Sequence, residues 1–355
     1  MFPVNYYCFG ESTFQGYNAI NSPPERDYPQ YAVPTMVYNT ISTTGVQCAY
    51  FNNAQDGKTL SENAAMHRPF IETKDLIVLI NSGLNDAFRG TVSGFQTALR
   101  SIINEARYAG KIAIVQAPNT VNQSWSGNVN AIRSYINTSL GGALGVRTQA
   151  NNIGNSSFDN THPDAAGYTL MANSLTASSS LMSPAVVKFI GLAEVVSRLY
   201  IAGLCRAPEQ PGLDYWVGEL LANSLSEIDV SQSIVNANPT FKSLTNAQFV
   251  STIYANIFND GSASPDGQAY WVSSLASNSR GKVMLDITVA SVTYSGGDQT
   301  ALARQRCFNN KIKMALSYGL CARNKNIMST STMSAITGAY STVTNYTSGL
   351  FSALP

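Results

Sequence analysis

The chain is short of charge, of histidine and of long apolar runs, and each shortage excludes something. Only 12% of its 355 residues are Asp, Glu, Lys or Arg, about half of the roughly 25% usual in soluble domains. Lys and Arg number 22 against 21 acidic residues, for a net charge of +1. No basic patch stands out, so nucleic acid is not an expected partner. No apolar run approaches the ~18 residues of a membrane span. Two histidines and no Cys-x-x-Cys spacing leave little for a structural zinc site, and no metal is expected. The five cysteines are an odd number and cannot all pair internally. Cys8 and Cys48 lie in apolar segments, where a free thiol acts as a small hydrophobe. A bridge among Cys205, Cys307 and Cys321 is the less favoured reading. The start, MFPVNYYCFGES, lacks the basic end and apolar stretch of a signal peptide.

What is present divides the chain in two. Hydrophobic residues make up 44%, enough for a sizeable core, and the length suits two domains. Up to residue 178, strand and helix signals alternate. Val4 to Phe9, Val46 to Phe51, Leu76 to Ile80 and Ile112 to Val115 are short apolar runs suited to strands buried on both faces. Between the third and fourth, Val92, Phe95, Leu99, Ile102 and Ala106 recur at helical spacing, and Gly110 follows as a stop. Strand, helix, strand at this spacing predicts a parallel sheet, with chemistry at the carboxyl ends of its strands.

Residues 179–186 read as a linker. From 187 to 328 the chain reads as helical, and it repeats. VVSRLYIAGL at 195–204 matches FVSTIYANIF at 249–258, and LDYWVGELLAN at 213–223 matches QAYWVSSLASN at 268–278. A fragment of a third copy is visible in KIKMALSYGLC. Such repeats arise when one unit cannot bury its apolar face alone. Trp216 and Trp271 repeat with the helices and are expected in the core. Asp260 and Asp266 lack the spacing of a calcium loop. Residues 329–355 are rich in Ser and Thr and read as a weak helix or a tail.

The scarcity of histidine makes the stretch FDNTHPDAAGY conspicuous. His162 stands three residues after Asp159 and directly before Pro163. A serine hydroxyl needs a base to take its proton, and the base needs an acceptor on its other nitrogen. Asp159 and His162 supply both from one loop, with Pro163 placed to open the next helix. Ser12, just past the first strand in CFGESTF, is the candidate nucleophile. Acyl transfer also needs donors for an oxyanion. The backbone N–H of Ser12, Gly57 in NAQDGKT and Asn85 in GLND all fall on the same rim. Asp86, Arg89 and Trp125 are candidates for substrate contact, Trp125 by stacking on a sugar face. His67, in AMHRPF, has no motif around it.

Four blocks in this order resemble the SGNH (GDSL-like) hydrolases: Ser12 in FGEST, Gly57 in NAQDGKT, Asn85 in GLND, and Asp159 with His162 in DNTHP. The resemblance covers about residues 3 to 178. It departs at the first block, where Glu11 stands in place of the usual aspartate and is able to preserve a supporting hydrogen bond. The resemblance implies a three-layer α/β domain over 1–178 and an ester hydrolase with Ser12 as nucleophile, His162 as base and Asp159 as its orienting partner. Ser12, Gly57 and Asn85 would hold the oxyanion, and no metal or organic cofactor is implied. The helical half resembles a repeat module of unknown function from bacterial secreted, surface and phage-associated proteins. Together these lead to an expected esterase acting on O-acyl, above all O-acetyl, groups of a polysaccharide. The rival expectation is a tail-fibre or adhesin-like protein, assembling into a virion or on a cell surface through its helical half. The neutral polar surface favours an extracellular or virion location, with a cytoplasmic one left open.

Overall fold

The computed structural model describes residues 4–17, 19–20, 27–66, 75–143, 146–151, 153, 157, 159–178, 180–260, 264–321, 330–339, 341–343 and 354. His67 lies outside them, as does the side chain of Cys321. The chain forms two compact units, the first made mainly of residues 1–191 and the second mainly of 192–351.

In the first unit the elements run β1 (Val4–Gly10), α1 (Ser12–Gln15), α2 (Val33–Ser42), β2 (Cys48–Asn52), α3 (Leu60–Met66), β3 (Ile77–Asn81), α4 (Leu84–Arg89), α5 (Val92–Tyr108), β4 (Ile112–Gln116), α6 (Ser126–Ser134), β5 (Val146–Gln149) and α7 (Ala165–Thr176). The strands form one parallel sheet in the order β2-β1-β3-β4-β5. Every residue of β3 and β4 is buried. That burial explains why their sequences are continuous apolar runs rather than alternating ones. The fifth strand escapes such a search because it reads Val-Arg-Thr-Gln. It lies at the edge of the sheet, and only Val146 in it is buried.

Two helical layers cover the sheet. On one face Phe9, Val78, Ile80 and Val115 pack with Phe95, Leu99 and Ile103 of α5 and Ile132 of α6. On the other lie α2 and α7, with Val37 and Ile41 of the first and Tyr168, Met171 and Leu175 of the second buried. Tyr6 of β1 is tied to α2 by its hydroxyl, which donates to Pro34 O at 2.8 Å. The first strand has β2 on one side and β3 on the other. The connections therefore leave it in opposite directions, and a crevice opens at its carboxyl end.

The second unit contains α8 (Pro184–Leu204, shared with the first at its start), α9 (Gln210–Leu221), α10 (Glu227–Ala237), α11 (Pro239–Ser243), α12 (Asn246–Phe258), α13 (Pro265–Ser274), α14 (Arg280–Thr293), α15 (Gln299–Leu316) and α16 (Thr330–Ala335). The packing boundary falls inside α8, at residues 191 and 192, a few residues past the stretch 179–186. Helix starts are marked in the sequence: Ser226 with Asp229 and Thr245 with Gln248 form reciprocal capping boxes at α10 and α12. The repeat appears as matched helices, with Tyr200 on α8 and Trp216 on α9, then Tyr254 on α12 and Trp271 on α13. Both tryptophans are half-buried rather than core residues. Each indole N–H donates to the tyrosine hydroxyl of the neighbouring helix, at 3.1 Å in both copies. Cys205 and Cys307 are free thiols. The fragment KIKMALSYGLC forms the end of α15 and the turn after it. Asp260 pairs with Arg304. Among the described residues no helix is long and apolar enough to cross a membrane.

Candidate active site

Ser12 leaves the first strand through a turn that only glycine fits. A Cβ on Gly10 would lie 2.6 Å from Phe14 Cβ and Cγ, and Phe14 is fully buried. The short α1 therefore sits close over the end of β1, with Ser12 at its first position. Thr13 anchors it from beneath: its Oγ1 donates to Asn81 Oδ1 at 2.8 Å, and Asn81 Nδ2 reaches Gln116 Oε1 at 3.2 Å. Buried side chains thus tie α1 to the ends of β3 and β4. Such a network holds a position well when every member is satisfied.

His162 arrives from the loop between β5 and α7. His162 Nε2 lies 3.0 Å from Ser12 Oγ, and His162 Nδ1 lies 2.7 Å from Asp159 Oδ2. The other oxygen of Asp159 accepts from the backbone N–H of His162 at 2.6 Å and of Thr161 at 2.9 Å. Asn160 bridges this turn at φ +62°, a left-handed conformation that asparagine tolerates. Gln123 and Asn119 clamp the loop from the β4 side, on Thr161 Oγ1 and Thr161 O at 3.1 and 2.7 Å. The Tyr17 ring leans on the imidazole, with centroids 4.8 Å apart. Pro163 does not open the helix. Asp164 caps it, accepting from Gly167 N at 2.8 Å, and Pro163 instead bridges back to Ser157.

Glu11 carries more of the site than its sequence position implied. The side chain is fully buried and collects three donors: Leu84 N at 2.8 Å on one oxygen, Asn85 N at 2.9 Å and Asn85 Nδ2 at 2.7 Å on the other. Burial pushes its carboxyl up to about 7, against the opposing pull of those N–H groups. The contact fixes the Asn85 side chain toward Ser12's end of the sheet. An amide nitrogen has two hydrogens, so Asn85 keeps one to donate elsewhere.

Ser12, His162 and Asn85 open onto one cleft of about 340 Å³, walled also by Tyr17, Thr161 and Trp125. Asp56, Leu84, Phe88 and Gln123 complete it. Phe88, exposed, meets Trp125 with ring centroids 5.7 Å apart. Three residues expected on this rim do not line the cleft. Asp86 is buried and accepts from Leu60 N at 2.9 Å, capping α3, and burial raises its carboxyl to about 6. Arg89 is drawn to Glu62, 3.2 Å from Nη1 to Oε1, and to Gly57 O at 2.5 Å. Gly57 itself, at φ +68°, is not among the lining residues, whereas Asp56 beside it is. Phe88 was findable, since it stands three residues after Asn85 and so shares its face of α4.

A parallel α/β unit with an aligned serine, imidazole and carboxylate at its sheet edge is the arrangement of a nucleophilic hydrolase. Solved structures similar to this half of the chain include a member of the lipolytic protein G-D-S-L family from Veillonella parvula, at 16% identity and a TM-score of 0.41, covering 49% of this chain and 97% of that one. A psychrotrophic esterase from Pseudoalteromonas sp. matches at 14% identity and a TM-score of 0.39, over 48% and 93%. An acetylxylan esterase from Geobacillus stearothermophilus matches at 15% and 0.34, over 48% and 91%. No protein-family model and no curated protein matches the sequence.

Proposed function

We propose that the chain is a serine esterase that removes short acyl groups, acetyl foremost, from sugar hydroxyls. The observation that carries this reading is the unbroken line Ser12 Oγ, His162 Nε2, His162 Nδ1, Asp159 Oδ2, with steps of 3.0 and 2.7 Å. Asp159 holds the proton on Nδ1, which leaves Nε2 as the base. Nε2 takes the hydroxyl proton as Oγ attacks the ester carbonyl. The carbonyl oxygen becomes an oxyanion, met by the remaining Asn85 amide hydrogen and by Ser12 N–H, which has no acceptor within its own helix. The imidazolium returns its proton to the departing sugar oxygen, leaving an acyl-Ser12 ester. Water, deprotonated by the same nitrogen, releases the acid and restores the serine.

The substrate class follows from the cleft. Its volume is at the low end of the ~300–1,000 Å³ of small-ligand sites, and it is open and of mixed polarity. Trp125 and Phe88 offer ring faces, while Gln123, Thr161 and Asp56 offer hydrogen bonds. An amphipathic sugar matches such walls better than a long acyl chain does. The test is hydrolysis of p-nitrophenyl acetate and acetate release from acetylated xylan, with Ser12→Ala as control. Labelling by a fluorophosphonate is expected at Ser12 alone. Unchanged hydrolysis in Ser12→Ala would remove the mechanism. Turnover of p-nitrophenyl acetate without acetate release from acetylated glycans would remove the substrate.

A further inference from the structure

The second unit repeats one feature that stays largely exposed to solvent. In each copy the residue before the tryptophan is an exposed tyrosine, Tyr215 at 56% and Tyr270 at 66%. Each stands edge-on to its tryptophan, centroids 4.8 Å apart in both copies. Behind each pair the indole N–H rests on a tyrosine hydroxyl, Tyr200 or Tyr254. A hydroxyl that accepts one hydrogen bond still has its own proton to donate. The tryptophan and inner tyrosine have a structural task, holding two helices together. The outer tyrosine stands mostly in solvent, and in each copy it joins the tryptophan in an exposed aromatic pair.

The second copy goes further. No residue of α13 is fully buried, although its counterpart α9 buries Leu213, Val217 and Leu220. A cavity of about 150 Å³ opens beside Trp271, lined by Tyr254, Phe258, Tyr294, Arg304 and Gln305 among others. Arg304 is held in place by Asp260, Nε to Oδ2 at 3.1 Å, with its guanidinium 5.9 Å from the centre of the Phe258 ring. In the first copy Arg206 takes a related place, 5.0 Å from the centre of the Tyr200 ring and paired with Glu209.

We propose that the helical unit is a glycan-binding module with two tandem subsites, Tyr215–Trp216 and Tyr270–Trp271. Exposed aromatic rings beside a planar guanidinium and an amide suit a pyranose, whose apolar face stacks on a ring while its hydroxyls bond. A ligand that meets two equivalent sites must itself repeat, as a polysaccharide does and a folded protein surface does not. The cavity is too small for more than one ring, so the polymer lies along the surface with one unit seated beside Trp271. Charge at the subsites is already paired within the protein, which favours a neutral polymer over an acidic one.

The test uses the full chain carrying Ser12→Ala, so that no ester is cleaved. Native gels containing birchwood xylan, barley β-glucan, galactomannan or glycol chitin are run beside gels containing denatured casein. Retardation is expected in at least one polysaccharide gel and not with casein. Tyr270→Ala, at an exposed position that leaves the Trp271–Tyr254 hydrogen bond intact, is expected to weaken it about tenfold, or about 1.4 kcal/mol. Adding Tyr215→Ala is expected to abolish it, with an unchanged melting temperature confirming the fold. Migration unaffected by all four polysaccharides overturns the proposal. Equal retardation of wild type and double variant does so too. Retardation by casein alone replaces the glycan with an extended peptide.

Discussion

Asp159→Asn tests the catalytic geometry most sharply, because the structure dictates how the new amide must sit. The carboxylate accepts from His162 Nδ1 on one oxygen, and on the other from the backbone N–H groups of Thr161 and His162 and, at 3.5 Å, from Ser157 Oγ. Asparagine offers a single oxygen. The two backbone donors, fixed 2.9 and 2.6 Å away, will claim it, so the amide NH2 faces Nδ1. Two N–H groups cannot face each other, and the imidazole responds by carrying its proton on Nε2. That nitrogen then points a hydrogen at Ser12 Oγ and is no longer a base. The wrong tautomer in such a triad lowers kcat by about 10⁴, or about 5 kcal/mol at 1.36 kcal/mol per decade. Folding loses only the difference between a charged and a neutral hydrogen bond, about 1 kcal/mol. Steady-state hydrolysis of p-nitrophenyl acetate measures the first effect, with Ser12→Ala as baseline, and thermal unfolding measures the second. A kcat within tenfold of wild type in a folded protein would refute the assignment of Asp159. A raised KM at constant kcat would recast it as a binding residue.

Two further predictions rest on neighbouring groups. Gly10→Ala forces a Cβ into Phe14 at 2.6 Å. Overpacking of this kind costs about 1–3 kcal/mol, so the melting temperature should fall and kcat/KM should fall with it, as Ser12 shifts off the His162 line; an active variant of wild-type stability would contradict the packing. Glu11 titrates near 7 when folded against 4.5 ordinarily, so the folded state holds its proton more tightly than the unfolded one. Its contribution to stability is therefore fully present below about pH 4.5 and is lost as pH rises through about 7, a change on the order of 3 kcal/mol. Denaturant titrations of wild type and Glu11→Gln from pH 4.5 to 8 should show the wild type losing stability relative to the variant. Parallel curves would mean that Glu11 is ionised throughout.

Much of this was legible because it is local. Three of the five strands, β1, β3 and β4, are apolar runs buried on both faces, and Asp159 with His162 lies within a single turn. Three of the four blocks also named residues that meet at the cleft, whereas Gly57 of the second does not line it. Other features escaped because they depend on neighbours remote in sequence. Val146–Gln149 pairs only on one side, so its outer residues carry no apolar signature. Asp86 and Arg89 follow Asn85 closely, yet Leu60 and Glu62, from α3, turn them away from the cleft. The tryptophans of the repeat looked like core and proved to be half-buried, because the indole needs a partner for its N–H and finds one near the surface.

The sequence by itself determined the alternating and helical halves, the helix caps and the candidate residues of the site, since hydrophobic period and capping chemistry act over a few residues. Only the tertiary structure decided that Ser12 and His162, 150 positions apart, stand at hydrogen-bonding distance, and that Glu11 holds Asn85 across 74. The reason is physical: a parallel sheet brings the carboxyl ends of all its strands to one edge, and the order of those strands is set by packing that no single segment encodes.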